Sequence, residues 1–329
     1  MVLMTTRQRK LLFWTACGLF IVLSPLVALY SLGYSFDFET GMPVKTSSLR
    51  LSANTEANVR INGVSVGSTS FFSGSFSQSR LLPNQYMVEL QKTGFRPWAK
   101  TVRLQPSEFM DFPKVILIPD EIKTELYATV SFDPKTLAVR GGELIVAGGP
   151  DIKKSKNQKP SPFPAQLTLI TIPEAVVRLA SANQIPTILD GIQFDKTLPS
   201  YLDQSGRPLI QPIHAREFPG DGRTAWFNDR SVFITWAVQT SYQPFIDAFT
   251  TSSPVIFNAP IREVVWHKDG EHLYVLAGES LYFIDIDFRG AIQKYVIATD
   301  ISGTIAYSGD HDSLFVQKGR SIFRLNVDF

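Results

Sequence analysis

The 329-residue sequence predicts an all-β protein of two units behind a single N-terminal transmembrane helix. Three observations carry that expectation. Leu11 to Phe36 contains no charged residue. From Leu49 onward the chain breaks into short alternating segments separated by Gly, Asn and Pro. Its last third repeats itself at an offset of 41 residues.

The strongest part of the apolar run is LLFWTACGLFIVLSPLVALY, Leu11 to Tyr30. About 20 apolar residues at a 1.5 Å rise cross a hydrocarbon layer of roughly 30 Å. Lipid offers the backbone no hydrogen-bond partner, so the segment is expected to be helical, over residues 11–34. Trp14 at one end and Tyr30 and Tyr34 at the other fit interfacial aromatic belts, and Pro25 marks a place for a kink. Arg7, Arg9 and Lys10 precede the run, and no acidic residue occurs before Asp37. The positive-inside rule then leaves residues 1–10 in the cytoplasm and the remainder outside a cell membrane. The run exceeds a signal-peptide core and lacks a small-x-small cleavage site, which favours an uncleaved anchor. Cys17, the one cysteine, lies within the run, so it reads as a helix-packing residue. An exported portion without cysteines forms no disulfide and fits a prokaryotic envelope.

The rest of the chain carries 29 basic and 30 acidic residues. Such a neutral ectodomain gives no electrostatic reason to expect nucleic acid. Residues 35–48 are polar, contain Gly41 and Pro43, and read as a linker.

Residues 49–119 read as a small β domain. Leu49–Leu51 and Val59–Ile61 are strand-like, and Asn62-Gly63 is a two-residue hairpin signal that returns the chain through Val64–Val66. Gln85–Gln91 and Ala99–Leu104 alternate about a turn at Lys92-Thr93-Gly94, and Val115–Ile118 closes the unit. The runs VRINGVSVGS (59–68) and RLLPNQYMVELQKTGFRPWAKTVRLQPSE (80–108) resemble the PEGA family. That resemblance implies a small β-sandwich-like fold found in prokaryotic surface proteins, without an enzymatic site. The signature tetrapeptide falls on Asn54-Thr55-Glu56-Ala57, where only Ala57 matches. Asn84 replaces the usual turn glycine and is expected to take its left-handed conformation.

Residues 120–329 hold the repeat. VWHKDGEHLYVLAGESLYFIDI (265–286) aligns without gaps on AYSGDHDSLFVQKGRSIFRLNV (306–327). Val232-Phe233-Ile234 aligns one period earlier on Leu273-Tyr274-Val275. A further copy starts near Leu137, and a divergent one covers residues 189–213. A period of about 40–45 residues is that of a β-propeller blade. The region resembles WD40-like or TolB-like propellers, with room for about five blades and no recurring Trp-Asp dipeptide.

No constellation reads as catalytic, and no cofactor is expected. Gly63-Val64-Ser65-Val66-Gly67 matches a nucleophile elbow by letter, but it sits in a hairpin rather than between strand and helix. His267, Asp269, Glu271 and His272 lack the helical H-E-x-x-H spacing of zinc proteases. They align with Asp310-His311-Asp312, so they read as a polar turn and not as a metal site. His214 stands alone and reads as a packing or loop residue.

The expected function is non-enzymatic: a surface spacer or adhesion module carrying a platform that binds an envelope protein or cell-wall glycan. An envelope hydrolase built from propeller loops is the alternative. Candidate contacts are the turns Asp269–Glu271 and Asp310–Asp312 and the lysines Lys153, Lys154, Lys156 and Lys159 of an insertion, against its plain reading as a solvated loop. Trp98 beside Phe95 and Pro97 is a candidate ring for stacking on a sugar, against its plain reading as edge packing.

Overall fold

The computed structural model describes residues 6–38, 40–130, 134–140, 143–148, 167–171, 214–218 and 223–329. The lysines of 153–159 and the divergent copy at 189–213 lie outside the described residues. The chain divides into two compact units, Met1–Thr93 with Pro97–Leu117, and Gly94–Arg96 with Ile118–Phe329.

The first unit opens with helix α1 (Thr6–Ser31), which continues through Pro25. Its segment Arg9–Ser31 is long and apolar enough to cross a membrane. The stretch read as a linker is partly structured: β1 (Tyr34–Asp37) and β2 (Met42–Lys45) pair antiparallel, as Tyr34–Lys45 through Asp37–Met42. Thr46 fastens this hairpin to the end of α1, donating both its backbone N–H (2.9 Å) and its hydroxyl (2.8 Å) to Gly33 O.

Seven further strands follow: β3 (Ser47–Ala53), β4 (Asn58–Ile61), β5 (Val64–Ser68), β6 (Ser75–Leu81), β7 (Gln85–Gln91), β8 (Trp98–Arg103) and β9 (Phe109–Val115). They form two sheets, ordered β6-β3-β9 and β5-β4-β7-β8, with β3 and β9 parallel. Period-two alternation points Leu49 and Leu51, Val59 and Ile61, Val88 and Leu90, and Met110 and Phe112 inward, where all are buried. Asn62 (φ 51°) and Gly63 (φ 78°) take the left-handed turn that their types predict. Asn84 does not: it has no positive φ, and its side chain instead accepts the Gln85 N–H at 2.7 Å. The positive φ of that region falls on Arg80, at 61°.

The second unit contains β10 (Thr124–Thr129), β11 (Pro134–Arg140), β12 (Glu143–Gly148), β13 (Leu167–Thr171), β14 (His214–Glu217), β15 (Arg223–Phe227), β16 (Ser231–Trp236), β17 (Thr250–Thr251) and β18 (Val255–Ile256). After these come β19 (Ile261–Trp266), β20 (His272–Ala277), β21 (Ser280–Asp285), β22 (Lys294–Ala298), β23 (Ile305–Ser308), β24 (Ser313–Lys318) and β25 (Ser321–Asn326). Four sheets result: β11-β12-β13, β14-β15-β16-β17 with β18 also on β16, β19-β20-β21-β22, and β23-β24-β25-β10. The fourth joins the first strand of the unit to its last, with Thr124 opposite Leu325.

The 41-residue offset holds strand for strand between the last two sheets, β20 on β24 and β21 on β25. It slips in the sheet before them. There Val232–Ile234 lie in β16, the third strand of its sheet, whereas Leu273–Val275 lie in β20, the second. Two neighbouring strands of similar apolar pattern make that slip invisible in sequence.

Strands of adjacent sheets lie side by side: β15 and β14 beside β19, β19 beside β23, and β23 beside β11. The sheets thereby stack face to face, and all six residues of β20 are buried. Phe227, Ile234, Val264, Leu273, Val275 and Ile284 share one apolar cluster, and Leu137, Leu144, Val146, Phe315 and Ile322 another. Gln317 adds a buried polar tie, donating to Pro134 O at 2.9 Å and to Gly319 O at 3.0 Å.

Candidate functional site

In each of the last two sheets the first and second strands are joined by a four-residue turn, and both turns lie at one end. The first begins at His267, whose N–H donates to His272 O (3.0 Å), while the Gly270 N–H donates to His267 O (3.1 Å). Gly270 takes φ +70°, and any Cβ there would meet the Phe218 ring at 2.7 Å and an Arg223 nitrogen at 2.6 Å, so only glycine fits. Arg223, at the start of β15, is buried and pairs with Glu271 Oε1 at 2.9 Å. It also donates to Gly270 O. Tyr242 donates its hydroxyl to the same Glu271 oxygen. Two neighbouring sheets therefore meet at this turn.

Asp269 closes the turn from inside. Its Oδ1 accepts the Glu271 N–H (2.8 Å) and lies 3.0 Å from His267 Nδ1; its Oδ2 lies 2.7 Å from His272 Nδ1. Burial penalises the charge of this carboxylate. The charge of His272 and the hydrogen bonds of both histidines outweigh that and hold it far below the usual carboxylate range. The imidazoles are 2% and 4% exposed and stand among aromatic rings. His272 stacks on Phe283 at 4.9 Å between centroids, and His267 lies 5.8 Å from Tyr274 and 5.6 Å from Tyr307. Among the described residues, His267 Nε2 and the Tyr274 hydroxyl are buried with no hydrogen-bond partner. Burial, with Tyr307, Asp269 and Asp312 nearby, pushes the Tyr274 phenol well above its ordinary value.

The counterpart turn runs through a short 3₁₀ segment, Gly309–His311, between the paired residues Ser308 and Ser313. Lys268 reaches across to it and pairs with Asp312 Oδ1 at 2.5 Å, while the Tyr307 hydroxyl donates to the same oxygen at 3.4 Å. Beside it lies an open depression of about 440 Å³ lined by Asp310, His311, Asp312, Ser313, Arg324, Asn326 and Asp328. Arg324 is paired with Glu125 at 2.6 Å. Among the described residues Asp310 and Asp328 carry no ion pair.

The structure thus joins the two turns that sequence singled out, through Lys268 and Asp312. It removes Trp98. That residue is 3% exposed, because the alternation of β8 points its ring inward onto Phe112 at 5.5 Å, and it offers no face to a sugar. Ser65, of the elbow-like pentapeptide, lies in β5 and donates its hydroxyl to Asn58 at 2.7 Å. Arg223, Tyr274, Tyr307, Arg324 and Asp328 are the neighbours that sequence reading missed. A gapless alignment of the copies carries one usable signal: His267 and His272 stand where the counterpart has Ser308 and Ser313. No known protein family and no curated protein matches this chain.

Proposed function

We propose that this is a single-pass, membrane-anchored, non-enzymatic envelope protein. On this reading α1 is the anchor, with the cationic residues Arg7, Arg9 and Lys10 on the cytoplasmic side. The first unit is a PEGA-like spacer, and the second is a propeller-type platform of about five blades. Three features support the propeller: strands of adjacent sheets that lie side by side, a sheet closed by the first and last strands, and a 41-residue repeat.

The observation that carries the binding function is the depression beside the counterpart turn, where Asp310 and Asp328 have no ion partner among the described residues. Loops converging at one end of such a platform are where these folds take their ligands. Carboxylates in an open, polar recess favour a cationic group, such as the amine of a cell-wall amino sugar or a basic side chain of an envelope protein. The test uses the full chain in nanodiscs against de-N-acetylated and fully acetylated cell-wall glycans and basic envelope proteins. Binding should fall at least about tenfold in Asp310→Asn/Asp328→Asn and weaken with salt. Equal binding by wild type and variant excludes the recess. Turnover of a glycan by the wild-type chain excludes the non-enzymatic reading.

A further inference from the structure

We propose that His267, Asp269 and His272 form a binding site for a divalent transition-metal ion of the zinc class. The proposal stands apart from the ligand of the acidic recess.

The first ground is geometry. One ligand atom from each of the three residues lies within 4.8 Å of the other two. Both imidazoles turn Nδ1 toward the same carboxylate, at 3.0 and 2.7 Å. In tetrahedral geometry, zinc bonds of about 2.0–2.2 Å to nitrogen and carboxylate oxygen place neighbouring ligand atoms about 3.3–3.6 Å apart. The two nitrogen–oxygen contacts, one to each oxygen of Asp269, lie within about 1 Å of that edge, and rotation of the imidazoles away from the carboxylate opens room for the ion.

The second ground is the chain's own counterpart turn. His267 and His272 occupy one cross-strand pair at the base of a four-residue turn. The matching pair at the base of the next turn is Ser308 and Ser313, and Asp269 keeps its counterpart in Asp310. A turn of this length in this setting therefore closes without imidazoles. Half of the four histidines in the chain are nonetheless placed here, both buried. Placing His267 there leaves Nε2 buried with no partner, a cost that a serine does not carry. An ion bound at Nδ1 offsets that cost.

The donor set selects the ion. Two imidazoles and one carboxylate suit zinc, cobalt, nickel and copper, whereas calcium and magnesium prefer oxygen ligands alone. Coordination replaces each Nδ1 contact to Asp269 with a metal bond, binds each imidazole in its neutral form protonated at Nε2, and releases any second ring proton to solvent. Three protein ligands leave at least one position open, on the side where Asp269 remains 17% exposed.

The test is a titration of the metal-stripped full chain, in detergent, with Zn²⁺ by calorimetry and with Co²⁺ by visible absorption. One ion per chain is expected, with Co²⁺ bands of a nitrogen–oxygen site displaced by Zn²⁺ but not by Ca²⁺ or Mg²⁺. His267→Ser/His272→Ser copies the counterpart turn and should keep the fold, by circular dichroism, while lowering Zn²⁺ affinity at least about 100-fold. Asp269→Asn should lower it about 10–100-fold. Should the double variant not fold, His272→Ser alone carries the comparison. Absence of a stoichiometric wild-type site overturns the proposal. So does undiminished binding by the serine variant, which would assign the ion to other residues.

Discussion

The hairpin β19–β20 and the hairpin β23–β24 are the same structural unit written twice with different chemistry. Both bury their second strand, both turn in four residues, and both hold an aspartate in the turn. The first encloses its aspartate between two buried imidazoles and ties its Glu271 to a buried arginine. The second has serines at the matching pair, and its Asp312 meets a half-exposed lysine beside an open recess. The fold therefore needs apolar strands and a turn, and leaves the polar residues at the turn free to differ. Chemistry that one copy has and the other lacks is the part that folding does not explain.

The largest expected effect tests what the copies share. Phe315 and Tyr274 occupy the same place in β24 and β20, and both are fully buried. Phe315 packs with Leu137, Leu144, Val146 and Ile322, and edge-on against Tyr127 at 5.0 Å. Phe315→Ala should cost about 3–5 kcal/mol in chemical unfolding. A cost under about 1 kcal/mol would mean that the last sheet is not built into a common core.

The next effect tests what the copies do not share. Arg223→Ala removes the buried partner of Glu271 and the donor to Gly270 O. It also removes a guanidinium 5.0 Å from the centroid of the Phe218 ring. Breaking one side of a buried pair leaves a desolvated charge, so a loss of about 2–4 kcal/mol is expected, read from the same unfolding curves. Tyr242 still donates to Glu271, which keeps the loss below the top of the range for such pairs.

These two positions also show what sequence could and could not give. The repeat exposes Phe315 and Tyr274 directly, since apolar identity at fixed spacing is a local signal. The hairpin Asn62-Gly63 and the strands around it are equally local, as is the charge-free run that becomes α1. Arg223 is not legible, because its partner lies 48 residues away in another sheet and the alignment of that sheet slips by a strand. The pairing of β10 with β25 and the parallel pairing of β3 with β9 are long-range for the same reason. The β1–β2 hairpin was hidden by its polar, glycine-bearing composition. At the site, spacing correctly gave a polar turn at 267–272. Burial, which sequence does not show, makes that turn a cluster of converging nitrogen and oxygen atoms.

Tyr274→Phe sharpens the pair further, since it writes the counterpart's residue into β20. The lost hydroxyl is buried without a partner, so stability at neutral pH should be unchanged or rise by up to about 1 kcal/mol. The phenol's folded-state pKa is raised, mainly by burial. Its neutral form therefore stabilises the fold fully below the unfolded value of about 10, and that contribution is lost as pH rises through the folded value. Wild type should weaken more steeply than Tyr274→Phe above about pH 10 in melting curves. Parallel alkaline limbs would mean that the phenol already reaches solvent.

The smallest effect concerns the link between the copies. Lys268 and Asp312 join the two turns, but the lysine side chain is 47% exposed. Water screens such a pair and the long side chain loses freedom in making it, so a double-mutant cycle on Lys268→Ala and Asp312→Ala should give about 0.2–1 kcal/mol of coupling. That coupling should fall further in 1 M salt. A value in this range means that the turns are held side by side by the packing of β19 on β23, with the ion pair as a minor addition. A coupling above about 2 kcal/mol, insensitive to salt, would instead make the imidazole turn and the acidic recess one site, because Asp312 would transmit any charge placed at Asp269 through Tyr307 and Lys268.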